Sequence, residues 1–247
     1  MFEVHGKIAC VTGASSGLGR FAANLLAASG ARVVGVARRA DQLEAWQSET
    51  QGDTAQVVAD LSDRAGLAAV AQDVTAPFGP PDILINAAGV NMRQPADQVS
   101  AEGWDQTMNL NLTAPFFLAQ ALVPGMKSKG WGRIVNFASL QSRRAFANGI
   151  AYGASKGGVE QMTRAMAEAW SRHGITANAL APGFFKTELT GPVFDDETAA
   201  QRLADQTCIG RNGEAQDLAG PLMFFCSDAS SYVTGQVLFV DGGFTAK

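Results

Sequence analysis

The stretch Ile8-Ala9-Cys10-Val11-Thr12-Gly13-Ala14-Ser15-Ser16-Gly17-Leu18-Gly19-Arg20 decides how this chain folds. The short apolar run Ile8 to Val11 predicts a buried strand, the three glycines a tight turn, and Arg20 to Ser29 a helix. Glycines in such a turn let the backbone approach a pyrophosphate. The helix that follows offers unpaired N–H groups and the positive end of its dipole. The spacing is G-x-x-x-G-x-G rather than the G-x-G-x-x-G of other dinucleotide folds, and a plain strand–helix turn is the alternative. Its place after the first strand of a βαβ chain favours a nucleotide site.

Working outward, short β-branched runs alternate with longer helical segments. Strands are expected at Ile8–Val11, Arg32–Val36, Ala55–Ala59, Ile83–Asn86, Arg133–Phe137, Thr176–Leu180 and Val237–Val240. Between them, helices are expected at Leu43–Thr50, Leu67–Phe78, Trp104–Lys129, Tyr152–His173 and Leu218–Phe225. Strands recurring after helices imply parallel βαβ units with right-handed crossovers. Strands that are apolar throughout imply helices on both faces. The expectation is an α/β fold: a doubly wound, parallel, seven-stranded Rossmann sheet in three αβα layers. No linker, repeat or composition break interrupts it, so residues 1–247 read as one domain. Only 188–213 departs from the rhythm, with Gly191-Pro192 and the acidic Asp195-Asp196-Glu197. An insertion of this kind suits a substrate loop, and a surface excursion is the alternative.

Composition narrows the chemistry. The chain is 47% hydrophobic and 17% charged, enough apolar material for a sizeable core. A net charge of −4 supplies no basic excess for nucleic acid. Three scattered cysteines (Cys10, Cys208, Cys226) make no disulfide framework, and with two distant histidines (His5, His173) they make a poor zinc site, so no metal is expected. The N-terminus shows no basic segment followed by an apolar run, and later apolar stretches fall short of a membrane span. A cytoplasmic setting, without a membrane partner, is the expectation.

The tip of the second strand chooses the cofactor. An acid there would bind the ribose hydroxyls of NAD, whereas an arginine suits the 2′-phosphate of NADP. The chain reads Val36-Ala37-Arg38-Arg39, so NADP(H) is expected, with Arg38 as the contact and Ser16 as a helper. NAD(H) stays open, as do two merely solvated arginines. Further along, Tyr152 and Lys156 stand four apart on one helix face, where an ammonium favours the phenolate. A Tyr–Lys pair alone is common. Its context includes Ser139 at the end of the fifth strand, on the carboxyl edge where open α/β sheets bind ligands. Asn111 lies within a helical stretch that it does little to favour. The fourth strand closes on Asn86-Ala87-Ala88-Gly89 and the sixth on Ala181-Pro182-Gly183.

With these motifs the chain resembles the short-chain dehydrogenase/reductase family, essentially end to end. The resemblance rests on the TGASSGLG loop, Asp60, NAAG at 86–89, NLNL around Asn111, Ser139, YGASK at 152–156, the Pro182-Gly183 turn and the terminal VDGG. Ile85 departs from it, since many members carry a second Asn there. The resemblance implies a catalytic tetrad of Asn111, Ser139, Tyr152 and Lys156. Tyr152 would pass the proton and Ser139 would hold the reacting oxygen. Lys156 would bind the nicotinamide ribose and lower the phenol pKa, while Asn111 would support a water relay. It also implies cofactor contacts by the Gly13-to-Gly19 loop (Ser15, Ser16, Gly17 and Leu18 included), by Asp60 and Leu61, and by Asn86 to Gly89. Pro182, Gly183 and Thr187 would complete them.

The substrate is less legible. The stretches Pro182–Glu188 and Leu238–Gly243 are similar to those of gluconate 5-dehydrogenases and related sugar-acid or polyol dehydrogenases. Arg93, Gln141, Arg143 and Phe184 fall where a substrate is expected, and an arginine there could fork onto a carboxylate. Phe146, Phe184, Phe185 and Phe194 could instead line a pocket for a bulkier ketone. Two other readings stay open: a 3-oxoacyl-carrier-protein reductase, and a non-catalytic regulator that senses the cofactor. The resemblance further implies a homotetramer.

Overall fold

The computed structural model describes residues 1–247, the side chain of Pro192 apart. Seven strands form one sheet: β1 (Ile8–Thr12), β2 (Arg32–Ala37), β3 (Thr54–Val58), β4 (Ile83–Asn86), β5 (Gly132–Phe137), β6 (Ile175–Pro182) and β7 (Val237–Val240). Their order is β3-β2-β1-β4-β5-β6-β7, and every neighbouring pair is parallel. The order reverses at β1, where one crossover leads to β2 and a later one returns to β4. A crevice opens there at the carboxyl ends of the strands, the place where doubly wound sheets take their ligands.

Alternation along each strand divides the core. Val11, Val33 and Ile85 face a layer made by α1 (Gly17–Ala28), α2 (Ala40–Glu49) and the later helix Ala219–Cys226, through Leu26, Trp46 and Phe225. Cys10, Val34, Leu84 and Ile134 face the opposite layer of α3 (Leu67–Thr75) and two longer helices, through Val74, Leu122, Met126 and Met166. Cys10 is fully enclosed, and burial pushes its thiol up to about 12. No helix among the described residues is long and apolar enough to cross a membrane.

Two expected elements differ. The stretch 104–129 is not one helix. It divides into α4 (Ala101–Met108), a π-helical turn over Asn109–Thr113, and α5 (Ala114–Lys129). The wide turn brings the buried side chain of Asn111 round to the carboxyl end of β4. The segment 188–213 is also more ordered than a loop. It holds a 3₁₀ turn at Glu188–Thr190, then α7 (Gly191–Phe194) and α8 (Glu197–Gln206), after which α9 (Ala219–Cys226) follows. Helix α6 (Ile150–Trp170) precedes it, and α8 is capped by Asp196, whose carboxylate accepts from the N–H groups of Thr198 and Ala199.

Candidate active site

The glycine loop is held open by sterics. A Cβ on Gly13 would lie 3.0 Å from the backbone nitrogen of Ala88, and one on Gly19 would lie 2.3 Å from the Gly13 carbonyl oxygen. Neither position accepts a side chain without moving backbone. Thr12 fastens the facing wall, its hydroxyl accepting from the N–H groups of Ala87 (3.0 Å) and Ala88 (3.1 Å). Helix α1 has no acidic residue in its first turn. Its N-cap residue, Ser16, makes no capping hydrogen bond but accepts from Arg39 Nη2 at 2.8 Å. The first N–H groups of α1 are thus left for an anion, as a pyrophosphate cradle requires.

That cradle belongs to a cleft of about 480 Å³ along the carboxyl edge of the sheet. Of the expected cofactor residues, the Gly13-to-Gly19 loop, Arg38, Asp60, Leu61, Ala87 to Gly89, Pro182, Gly183 and Thr187 all line it. Asp60 accepts from the N–H and hydroxyl of Ser62 at 2.9 and 2.7 Å and lies 3.7 Å from Arg38. These bonds, with the Arg38 charge, hold its carboxyl below the usual range. Asn86 is different: its amide is turned into the sheet, donating to Asn136 Oδ1 at 2.9 Å.

Beyond β5, Ser139 starts a 3₁₀ turn over Leu140–Ser142, its hydroxyl accepting from Gln141 N–H at 3.2 Å. Helix α6 then carries Tyr152 and Lys156 on one face, and both line the cleft with Ser139. Lys156 is buried and donates to the Phe137 carbonyl at 2.6 Å. Its Nζ lies 5.6 Å from the centre of the Tyr152 ring. Burial depresses the ammonium to about 8. Burial also raises the Tyr152 phenol, against the hydrogen bond with Ser139 and the positive charge of Arg93, both of which lower it. Asn111 lies behind the cleft wall and holds the backbone of Val90.

The expected substrate residues separate. Arg93, Gln141 and Phe184 line the cleft. Gln141 presents a buried Oε1 with no hydrogen-bond partner, and Arg93 has a left-handed backbone with φ of 49°. Arg143, by contrast, is drawn out of the cleft. Its guanidinium forks onto Glu160 at 2.7–3.2 Å and lies 5.0 Å from the Phe239 ring. A half-exposed arginine beside a buried carboxylate is pulled towards it, so proximity along the chain to Ser139 misleads. Phe184 packs edge-on against Phe146, with ring centres 5.8 Å apart, and Phe244 completes the cluster.

Arg39 and Glu188 carry weight that sequence reasoning missed. Both line the cleft, and they form a two-point ion pair. Their 149-residue separation leaves no local signal; only the paired arginines at 38 and 39 hinted at it.

The residues therefore fit a dinucleotide: a glycine cradle, uncapped helix N–H groups, guanidiniums at the β2 tip and an acid after β3. Comparison with known proteins points the same way. A family model described as enoyl-(acyl carrier protein) reductase matches residues 13–245. The gluconate 5-dehydrogenase of Gluconobacter oxydans (strain 621H) is 43% identical, over 100% of this chain and 98% of that protein. The 2-dehydro-3-deoxy-D-gluconate 5-dehydrogenase of Dickeya dadantii (strain 3937) is 37% identical, again over 100% and 98%. Among solved structures, a gluconate 5-dehydrogenase from Burkholderia cenocepacia J2315, in complex with NADP and tartrate, superimposes with a TM-score of 0.93. It is 36% identical, over 100% of this chain and 98% of that one. Sheet order, cleft and full-length similarity agree, and the chain belongs to the short-chain dehydrogenase/reductase family of oxidoreductases.

Proposed function

We propose that this chain is an NADP(H)-dependent dehydrogenase of a sugar acid or closely related polyol, with Tyr152 moving the proton. One observation carries the reading: a single cleft is lined by Arg38 and Arg39 beyond β2, by Tyr152, Ser139 and Lys156 beyond β5, and by Arg93 beyond β4. The names of the similar proteins, which act on gluconate and its dehydro-deoxy relative, support the substrate class. The NADP held by the Burkholderia cenocepacia structure supports the cofactor.

The glycine loop and α1 would hold the pyrophosphate, and Asp60 and Leu61 would border the adenine. Arg38, helped by Arg39 and Ser16, would take the 2′-phosphate, and Thr187 would border the nicotinamide. A bound nicotinamide supplies or takes the hydride, with its two electrons, at the substrate carbon. Tyr152 gives a proton to the carbonyl oxygen in reduction and removes one from the hydroxyl in oxidation. Ser139 hydrogen-bonds the same oxygen and fixes its distance from the phenol. Lys156, anchored on Phe137, binds the ribose and favours the phenolate while it is charged. Arg93 and Gln141 would meet the polar end of the substrate, Arg93 by forking onto a carboxylate. The family resemblance adds a cytoplasmic homotetramer to the proposal, which light scattering on the purified chain tests.

A turnover screen of ketogluconates, polyols and simple ketones, with NADPH and with NADH, tests the whole reading. Activity on ketogluconates with NADPH is the expected result. Turnover of simple ketones alone would overturn the substrate class, and a strong preference for NADH would overturn the role of Arg38.

A further inference from the structure

Two guanidiniums that line the cleft already have acceptors, and both acceptors belong to one short turn. Arg39 forks onto Glu188, with Nη1 to Oε1 at 3.1 Å and Nη2 to Oε2 at 2.8 Å. The same Nη2 reaches Ser16 Oγ at 2.8 Å and Ser15 Oγ at 3.4 Å, which places the fork over the glycine loop. Arg93 donates from Nη2 to the Leu189 carbonyl at 3.1 Å. Glu188 and Leu189 open the 3₁₀ turn that leads into α7 and α8, so this segment is tied to two walls of the cleft at its first residues.

A carboxylate presenting two oxygens to a guanidinium has the geometry that a phosphate would present. The Glu188 side chain is 58% exposed, so burial does not lock the pair and it separates at modest cost. One fork cannot serve two anions in this way, and a phosphate on Arg39 would stand beside a carboxylate of like charge.

We infer that Glu188 is a cofactor-selecting residue: its carboxylate competes with the adenosine 2′-phosphate for Arg39. Binding of NADP(H) then requires Glu188 to leave Arg39, which frees the first turn of the 188–206 segment at its adenosine end. A cofactor without the 2′-phosphate leaves the pair intact. Glu188 therefore narrows the preference for the phosphorylated cofactor, and it couples cofactor identity to a segment whose first residues, Glu188 to Thr190, line the cleft. This inference rests on the NADP(H) reading above.

The test is calorimetric titration of the purified full chain with NADP⁺, NAD⁺ and 2′,5′-ADP, comparing wild type with Glu188→Gln. The substitution keeps size and a hydrogen-bonding oxygen and removes the charge. The Kd for NADP⁺ and for 2′,5′-ADP should fall about three- to tenfold, the scale of releasing one exposed two-point ion pair and its repulsion. The Kd for NAD⁺ should stay within twofold. In an Arg39→Ala background the effect of Glu188→Gln on NADP⁺ should vanish. An unchanged or weaker NADP⁺ affinity in Glu188→Gln overturns the inference. So does an equal gain for NAD⁺, or a gain that persists without Arg39. A chain that binds 2′,5′-ADP with one constant in both forms overturns the role of Glu188 alone. A chain that binds none in either form overturns the cofactor reading as well.

Discussion

Asn111 clamps the backbone of Val90 from both sides: its Oδ1 accepts from the Val90 N–H at 2.8 Å, and its Nδ2 donates to the Val90 carbonyl at 2.9 Å. The same Nδ2 reaches Ser155 Oγ at 3.1 Å, and that hydroxyl donates to the Tyr152 carbonyl at 2.7 Å. One amide thus joins the end of the NAAG loop, the π turn and the first turns of α6. Asn111→Ala leaves two backbone groups of Val90 without their partner, at a cost of about 2–4 kcal/mol. Thermal unfolding should register that loss, and kcat should fall at least tenfold because the wall facing Tyr152 slackens. Asn111→Asp keeps the acceptor but sets a carboxylate against the Val90 carbonyl at a site 1% exposed, so it should recover none of the stability at neutral pH. A wild-type unfolding temperature in Asn111→Ala would show that the clamp carries no strength.

Tyr152 sets the pH dependence. Oxidation of an alcohol needs the phenolate, so kcat/KM in that direction should rise with pH and level off above the phenol pKa, while reduction falls. Burial raises that pKa and the Ser139 hydroxyl lowers it. Ser139→Ala removes a lowering influence, and its oxidation profile should turn at higher pH than that of wild type. Tyr152→Phe removes the proton altogether and should cost about a hundredfold or more in turnover, with dinucleotide binding retained. Identical inflections in wild type and Ser139→Ala would contradict the assigned hydrogen bond.

Lys156 trades stability for chemistry. Its ordinary value is 10.5, and burial depresses it to about 8 in the folded chain. Between those values the unfolded chain binds more protons, so this residue makes stability rise with pH from about 8 to 10.5. Below that window the full penalty stands, about 3 kcal/mol at ~1.36 kcal/mol per unit. Lys156→Met removes the penalty and gives up the bond to Phe137, for a net gain of about 1–2 kcal/mol at neutral pH. Turnover should collapse while Tm rises at pH 7, and the Tm advantage should shrink as pH approaches 10. A lower Tm at pH 7 would mean that the ammonium is better solvated than its burial implies.

Much of this was legible in the sequence, for identifiable reasons. The strands declare themselves because a sheet covered on both faces needs continuous apolar runs, and Ile8–Val11 and Ile83–Asn86 have little other use. Tyr152 and Lys156 could be paired because a helix fixes the i, i+4 relation locally. The π turn at Asn109–Thr113 was not legible, since one extra residue per turn barely alters a helical apolar pattern. Glu188 meeting Arg39 depends on where a segment after β6 comes to rest against the tip of β2, and no spacing rule carries that. Arg143 shows the opposite failure. Sequence places it beside Ser139, but a buried carboxylate two turns along α6 from the tyrosine claims its side chain.

That last contrast separates two arginines by substrate charge. Arg93 lines the cleft, holds a left-handed backbone that costs a non-glycine residue strain, and places its charge close enough to lower the Tyr152 phenol. Arg143 spends its fork on Glu160 and its face on Phe239. Arg93→Ala should therefore raise KM for a carboxylate substrate about tenfold to a hundredfold, the scale of a lost charge-assisted pair. KM for a neutral polyol should hardly move. Because Arg93 also acts on the phenol, kcat shifts for both substrates, and KM is the quantity that isolates carboxylate binding. Arg143→Ala should leave KM for the acid unchanged and show itself only as a small loss of stability at Glu160. If Arg143→Ala raised KM for the acid and Arg93→Ala did not, the cleft would have been assigned to the wrong guanidinium.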